Sequence, residues 1–465
     1  MDMAGGTDSG AHPGLFSLRE IIVAGWVTVA SLIFFNVFVR FFYRTILDND
    51  VGVPIHWPIS KFAVRLGRLE ASRVAVLVVL AIVVFTVATV YLRWFDRTSL
   101  WPVVVAGTVL LVLTTLTQGH QAGLIRPIAN GGSYYRAAVT ITDPVAFVET
   151  FEANQLGLPL HARTHPPGAV LSFWILDTLL PSTRAVSLAV GIGSLALSAL
   201  LLHRLLATYY PRDVAQYTTY LFVLLPAVQI YYLTTLDALI TVAALGAIYC
   251  FTRDSQVIAT FGTLACLFVA ASQTFMTVFL GPVLVGLALL RRDRIAPLVV
   301  IGLSSLGIYA LVNVVFGYDY IASFLTASHQ QNPNGFFPLA EPLRYLTTRV
   351  ENVAEIALFF TPVLAVLAVR GVGVLWRSAR GLSRIDSEPL VIFGIATGSL
   401  LGLFAVGVYH TGETARGAMF IYPFLMLPVA AALRAADPTR RREALLAAAV
   451  FGQALLMQIV GDYLW

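Results

Sequence analysis

The chain has 465 residues, 58% of them hydrophobic and only 12% charged, with a formal net charge of +5 and a mean hydropathy of +0.80. Soluble globular chains carry about 25% charged residues, so a deficit of this size excludes a water-facing surface over most of the molecule. The charges fall in short clusters between long apolar runs, and the excess arginine at the ends of those runs points to membrane orientation and away from nucleic acid.

In chain order, residues 1–18 are polar, carrying Asp2 and Asp8 with no basic stretch. The apolar run that follows is too long for a signal peptide and has no small-residue cleavage site, so the first helix is expected to stay as an anchor. Runs of about 17–25 apolar residues predict membrane spans. They occur at 20–43, 74–94, 100–117, 184–206, 214–232, 237–253, 256–272, 274–291, 296–316, 353–370, 389–408, 417–435 and 443–461. A shorter stretch, 168–180, follows two prolines and reads as a helix lying at the interface. The expected fold class is an all-α polytopic membrane protein of about 13 transmembrane helices, with a long external loop containing short juxtamembrane helices.

Arginine placement orients these spans. Segments 203–213, 291–294, 370–384 and 434–442 are Arg-rich and are expected on the cytoplasmic side. That leaves 118–183, 317–352, 409–416 and the C-terminal tip outside. The same count puts 44–73 outside although it carries Arg44, Lys61, Arg65, Arg68 and Arg73, a basic external segment or a sign of one span miscounted. The chain divides into N-terminal helices (1–99), a core with external loop 118–183 (100–316) and C-terminal helices with external loop 317–352 (317–465). Lys61 is the only lysine, a bias that reads as a GC-rich prokaryotic genome, so the expected location is the prokaryotic plasma membrane. Cys250 and Cys266 have neither metal nor disulfide spacing and read as small buried hydrophobes.

Four external clusters carry polar chemistry. The densest is H-A-R-T-H-P-P-G, His161 to Gly168, with Asp143, Glu149 and Glu152 upstream. His161 and His165 at i, i+4 would share a helix face and hold a divalent cation such as Mg or Mn, or a phosphate. Against that, the residue before a proline avoids the α region, so the helix would not run through His165, and both histidines would simply pack the loop. A direct role for His165 or Arg163 remains open, because polar groups beside a bilayer are costly. Upstream, G-G-S-Y-Y-R-A-A places Tyr134, Tyr135 and Arg136 after a tight turn, and Asp143 before Pro144 reads first as a helix N-cap and second as a general base. In H-T-G-E-T-A-R, Glu413 and Arg416 stand at i, i+3; they would pair, and Arg416 suits a lipid-linked phosphate. Asp237 lies between two spans, as an N-cap or as part of a cavity opened by a kink at Pro226. Loop 317–352 adds Arg344 among aromatics.

These residues resemble the GT-C superfamily of integral-membrane glycosyltransferases, which includes the protein O-mannosyltransferase and lipid A aminoarabinose transferase groups. The resemblance rests on the long loop, H-P-P-G, the interfacial helix and Arg184 opening a span. Pro226 ten residues before Leu236-Asp237, and G-E-T-A-R leading to Pro423, extend it over roughly 100–430. It implies transfer of a sugar from a polyprenyl-phosphate donor to a lipid, glycan or protein acceptor on the external face. On that reading Asp143 and His165 would be catalytic, while Tyr135, Arg136, Arg163, Asp237, Arg344, Glu413 and Arg416 would bind substrate. The family's acidic pair would fall near Gly132-Ser133, where this chain has none; Asp48 and Asp50 fit only if the first span is the family's first helix. A transporter or flippase would show repeated halves with matching interruptions, and none is visible. A non-catalytic subunit that keeps the fold without the acid is the other alternative.

Overall fold

A computed structural model describes residues 71–463 apart from 131–132, 234, 332–337, 339–341, 381–383 and 410–412, together with 62–64 and a few positions between 20 and 30. Most of the predicted span 20–43, and Asp48, Asp50 and Lys61, lie outside the described residues. The described chain is helical apart from one antiparallel pair of three-residue strands, Phe62–Val64 with Gly461–Tyr463, which the all-α expectation did not include.

Among the described residues, seven helices are long and apolar enough to cross a bilayer. They are Ala71–Phe95, Thr183–Tyr209, Arg292–Phe316, Pro362–Ala379, Ser387–Ala405, Met419–Ala436 and Arg440–Val460. An eighth candidate, Trp101–Leu116 followed by Gln121–Ala129, bends by 119°. Leu236–Phe251, Ile258–Gln273 and Phe275–Leu290 are apolar but shorter, as is Pro167–Leu179 in the place of the predicted interfacial helix. Among the described residues seven helices, or eight with the bent pair, therefore meet the length criterion, where the sequence led to an expectation of thirteen spans over the whole chain.

The solvent this fold is built for shows on its outside. Leu303, Leu306, Leu311 and Val314 on helix Ile295–Phe316 are all more than half exposed, as are Val76, Val79 and Val87 on helix Ala71–Val90. Apolar surface on this scale is untenable in water and is what a lipid-facing helix presents. The chain is an α-helical, multi-pass membrane protein.

Inside this apolar shell, the backbone is broken where proline dictates. Pro226 has no N–H to give the preceding turn, so one helix stops at Val223 and another starts at Pro226. The carbonyl freed at Val223 accepts from Gln229 Nε2 (2.6 Å), and Thr114 Oγ1 donates to Gln229 Oε1 (3.1 Å). Gln458 Nε2 donates to the Gln229 carbonyl (2.7 Å), so Gln229 meets the freed carbonyl and side chains from two other helices hold Gln229, as a break at membrane depth requires.

A second break corrects the predicted span 353–370. Helix Pro342–Phe360 ends at Thr361, which takes a positive φ of 72°, and a new helix runs Pro362–Ala379. Pro362 keeps Thr361 out of the α region, and the Thr361 hydroxyl caps the new helix at Leu364 N (3.3 Å). Gly371 then lets this helix press against Tyr422–Ala436: a Cβ there would come within 1.8 Å of the Pro428 carbonyl. Small residues at such crossings are how membrane helices approach closely.

The arginine clusters gather at one end of the bundle. Arg93, fully buried, and Arg97 meet Glu443, and Arg97 also meets Asp213. Arg291 meets Asp254, Asp293 and Glu388, while Tyr209 Oη donates to Glu388 Oε2 (2.7 Å). The polar loop clusters meet at the other end.

Candidate functional site

The site is assembled from four stretches that are distant in sequence. The first is a five-residue helix, Tyr134–Ala138, started by Ser133, whose hydroxyl accepts from Arg136 N (3.2 Å). It points Tyr134 inward, stacked on Phe173 with ring centroids 6.1 Å apart and edge-on to His165 at 5.1 Å.

The second is the H-A-R-T-H-P-P-G turn. A single helical turn, Ala162–Thr164, gives way to an extended His165 (φ −130°), as the following proline requires. His165 Nδ1 lies 3.0 Å from the His161 carbonyl. A carbonyl only accepts, so Nδ1 carries the proton and Nε2 the lone pair. Burial pushes this imidazole down to about 4 from the usual 6.5, with Arg416 adding to the shift against the His161 carbonyl, which opposes it.

At neutral pH His165 is therefore uncharged. Its contribution to stability is complete above about pH 6.5 and is lost as the pH falls toward 4. In detergent, the melting temperature of the wild type is expected to fall relative to His165→Gln as the pH drops from 6.5 to 4. Parallel curves through that window would contradict the assignment.

The third stretch begins helix Leu236–Phe251. Thr235, rather than Asp237, occupies its N-cap position, and Asp237 stands in the first turn, where the helix dipole favours a carboxylate. The fourth is the turn Thr414–Gly417, which carries Arg416. Arg416 Nη2 pairs with Glu413 Oε2 at 3.0 Å, the i, i+3 pair expected, and its Nε faces Asp237 Oδ2 at 3.8 Å.

This last turn rests on groups the sequence reading missed. Glu355, buried in helix Pro342–Phe360, accepts from Thr414 N through Oε2 (2.9 Å). Thr414 Oγ1 donates to Asn352 Oδ1 (2.8 Å), Tyr409 Oη to the Gly417 carbonyl (3.0 Å), and Arg349 Nη2 to the Tyr409 carbonyl (2.9 Å). Glu355 and Asn352 lie in a segment divided between a loop and a span in the sequence reading. The available signal was an acid inside an apolar run.

The four stretches enclose a cavity with two lobes. The larger holds about 1090 Å³ of space, measured out to where it opens, and the smaller about 470 Å³. Tyr134, His161, Asp237 and Arg416 line both. His165 and Glu413 add to the larger lobe, whose other wall is apolar, with Phe275, Met276, Phe324 and Phe420. Small-molecule sites commonly pair such apolar walls with a few convergent polar groups.

The remaining predicted residues lie elsewhere or at the margin. Tyr135 lines the smaller lobe but spends its hydroxyl on Asp177 Oδ1 (2.5 Å) and Thr183 Oγ1 (3.0 Å). Asp143 is exposed and caps helix Pro144–Glu149 through Val145 N (2.9 Å) and Ala146 N (3.2 Å); it lines a separate shallow depression. It is therefore not brought together with His165. Arg136 is exposed, and Arg163 lines neither lobe. Arg344 lies in helix Pro342–Phe360, with its side chain outside the described residues. Among the described residues no three His, Cys, Asp or Glu side chains group to hold a metal ion, so His161 and His165 do not complete the cation site considered above.

Comparison with protein-family models finds no matching family, and comparison with curated proteins finds no matching relative.

Proposed function

We propose that this cavity is the active site of a membrane glycosyltransferase that takes a sugar from a polyprenyl-phosphate donor and passes it to an acceptor on the same face of the membrane. The observation that carries the reading is Arg416. It is a guanidinium at the junction of the two lobes, tethered by Glu413 and faced by the Asp237 carboxylate.

Glycosyl transfer breaks the bond between the anomeric carbon and the donor phosphate oxygen and forms a bond from that carbon to the acceptor oxygen or nitrogen. The acceptor proton needs a base, and the departing phosphate needs positive charge. A phosphate seated against Arg416 displaces the long Asp237 contact, leaving Asp237 to take the acceptor proton while Glu413 keeps the guanidinium in place. The apolar wall of the larger lobe offers the prenyl chain a surface. Asp237, rather than Asp143, is the base in this reading, because Asp143 lies outside the cavity.

The reading supplies what the resemblance to the GT-C superfamily implies. The thirteen crossings expected would need the bent pair Trp101–Leu116 and Gln121–Ala129, the short helices Leu236–Phe251, Ile258–Gln273 and Phe275–Leu290 and the helix broken at Pro226 to span as well, together with 20–43, most of which lies outside the described residues. No metal-ligand set is assigned a step.

The test uses the full-length protein in liposomes, a panel of polyprenyl-phosphate hexoses and pentoses, and mass spectrometry of the products. Asp237→Asn is expected to lower transfer about 10²–10⁴-fold, and Asp143→Asn to leave it within about twofold, since an exposed cap acts only on stability. The reverse pattern, or transfer unchanged in Asp237→Asn, would sink the assignment.

A further inference from the structure

We propose that a second cavity, at the Arg-rich end of the bundle, holds the headgroup of an anionic phospholipid, with Arg434 as its phosphate contact. The cavity offers about 940 Å³ of space, counted with the solvent at its mouth, among the ends of helices Thr183–Tyr209, Pro362–Ala379 and Tyr422–Ala436 and beside helix Arg384–Ala405. Tyr209, Tyr210, Ser378 and Arg434 supply its polar lining, and Val374, Leu375 and Pro389 lie on its apolar side.

Charge complementarity identifies the occupant. The acids that meet arginines at this end are already engaged: Asp213 and Glu443 with Arg97, and Asp254, Asp293 and Glu388 with Arg291. Tyr209, on the cavity wall, also donates to Glu388, so that carboxylate is held from two sides. Asp437, the nearest acid along the chain to Arg434, forms the left-handed C-cap of its helix, and no ion pair joins the two among the described residues. Arg434 is thus a permanent cation at a cavity mouth with no carboxylate partner among the described residues.

A helix C-terminus favours a cation in its last turn, but that does not account for the adjoining cavity. A soluble anion would have no use for the apolar wall, whereas a phospholipid places its phosphate on the arginine and its glycerol and first acyl carbons on Val374, Leu375 and Pro389. Basic pockets between helix ends at the headgroup level suit anionic lipids for this reason. The site is separate from the two-lobed cavity and stands whether or not that cavity transfers sugars.

The test uses full-length protein in phosphatidylcholine vesicles doped with phosphatidylglycerol, with retained lipid counted by native mass spectrometry after extraction. The wild type is expected to retain phosphatidylglycerol over phosphatidylcholine by about fivefold, the preference one interfacial arginine supplies. Arg434→Gln is expected to lose that preference and Arg434→Lys to keep part of it. Arg380→Gln, which changes an arginine stacked on Trp376 at the same end, is expected to keep it all. Equal retention of both lipids by the wild type overturns the proposal and requires no variant to fold. Unchanged preference in Arg434→Gln, or displacement of the lipid by glycerol phosphate, also overturns it.

Discussion

Arg416→Gln is expected to lower sugar transfer about 10²–10³-fold, the loss typical when one preorganised charge stabilising a leaving group is removed. Three observations set that size. Arg416 reaches both lobes of the cavity, two carboxylates flank it, and the turn carrying it is fixed from beneath by Glu355 and Asn352. A guanidinium held this way meets a phosphate without first being reorganised. Arg416→Lys keeps the charge but loses the planar fork, so it should fall between wild type and Gln.

The same substitution leaves Asp237 and Glu413 facing the cavity without their cation, so lost activity has to be separated from lost stability. Asp237 and Arg416 are mostly buried and Glu413 is about one-third exposed, so removing the arginine should also lower the melting temperature. The double variant Asp237→Asn/Arg416→Gln removes one of the stranded charges. It should recover melting temperature and recover no transfer. Recovery of both, or wild-type turnover in Arg416→Gln, would show that the arginine is a strut and not part of the chemistry.

Glu443→Ala is expected to be the most destabilising single change at the Arg-rich end, by about 3–5 kcal/mol. Arg93 is fully buried, its Nη1 lies 3.5 Å from Glu443 Oε2, and its guanidinium stacks over Tyr217 at 4.6 Å. Tyr217 in turn donates to the Glu443 backbone carbonyl (2.6 Å). Deleting the carboxylate strands a buried cation that Gln216 alone still contacts through a hydrogen bond. Removing both charges together is different, because apolar side chains of similar volume often replace a buried pair at no loss. Thermal unfolding in detergent should therefore show Glu443→Ala far below wild type and Arg93→Met/Glu443→Met close to it. A mild effect of the single change would mean that water reaches Arg93.

Hydropathy made the membrane class legible, and proline made some of the breaks legible. The interruption at Pro226 could be read because proline has no N–H for the helix ladder and its ring crowds the preceding turn. The one at Thr361 could not, because averaging over 353–370 hides a single residue whose backbone has to turn left-handed. The Glu413–Arg416 pair was readable from spacing on one turn. That Asp237 completes it was not, since the two stretches meet only through packing of helices far apart in the chain. Asp143 drew attention because it is an acid in the right loop, but its carboxylate is consumed by the two backbone amides it caps. Glu355 went unread for the opposite reason. An acid within an apolar run signals a buried polar role, but not which one; here it supports, at Thr414 59 residues on in the chain, the turn that carries the arginine.

The outermost helix, Arg292–Phe316, has only 6% of its most apolar stretch buried. Lipid chains have no fixed shape, so most of its side chains have no partner of defined outline to fit. What they must match is a solvent, and Leu, Val and Ile meet that demand almost alike. At Gly371, by contrast, one hydrogen atom is all the neighbouring backbone allows. Along one chain, then, the information needed per residue runs from nearly none at the lipid boundary to complete specification at a helix crossing.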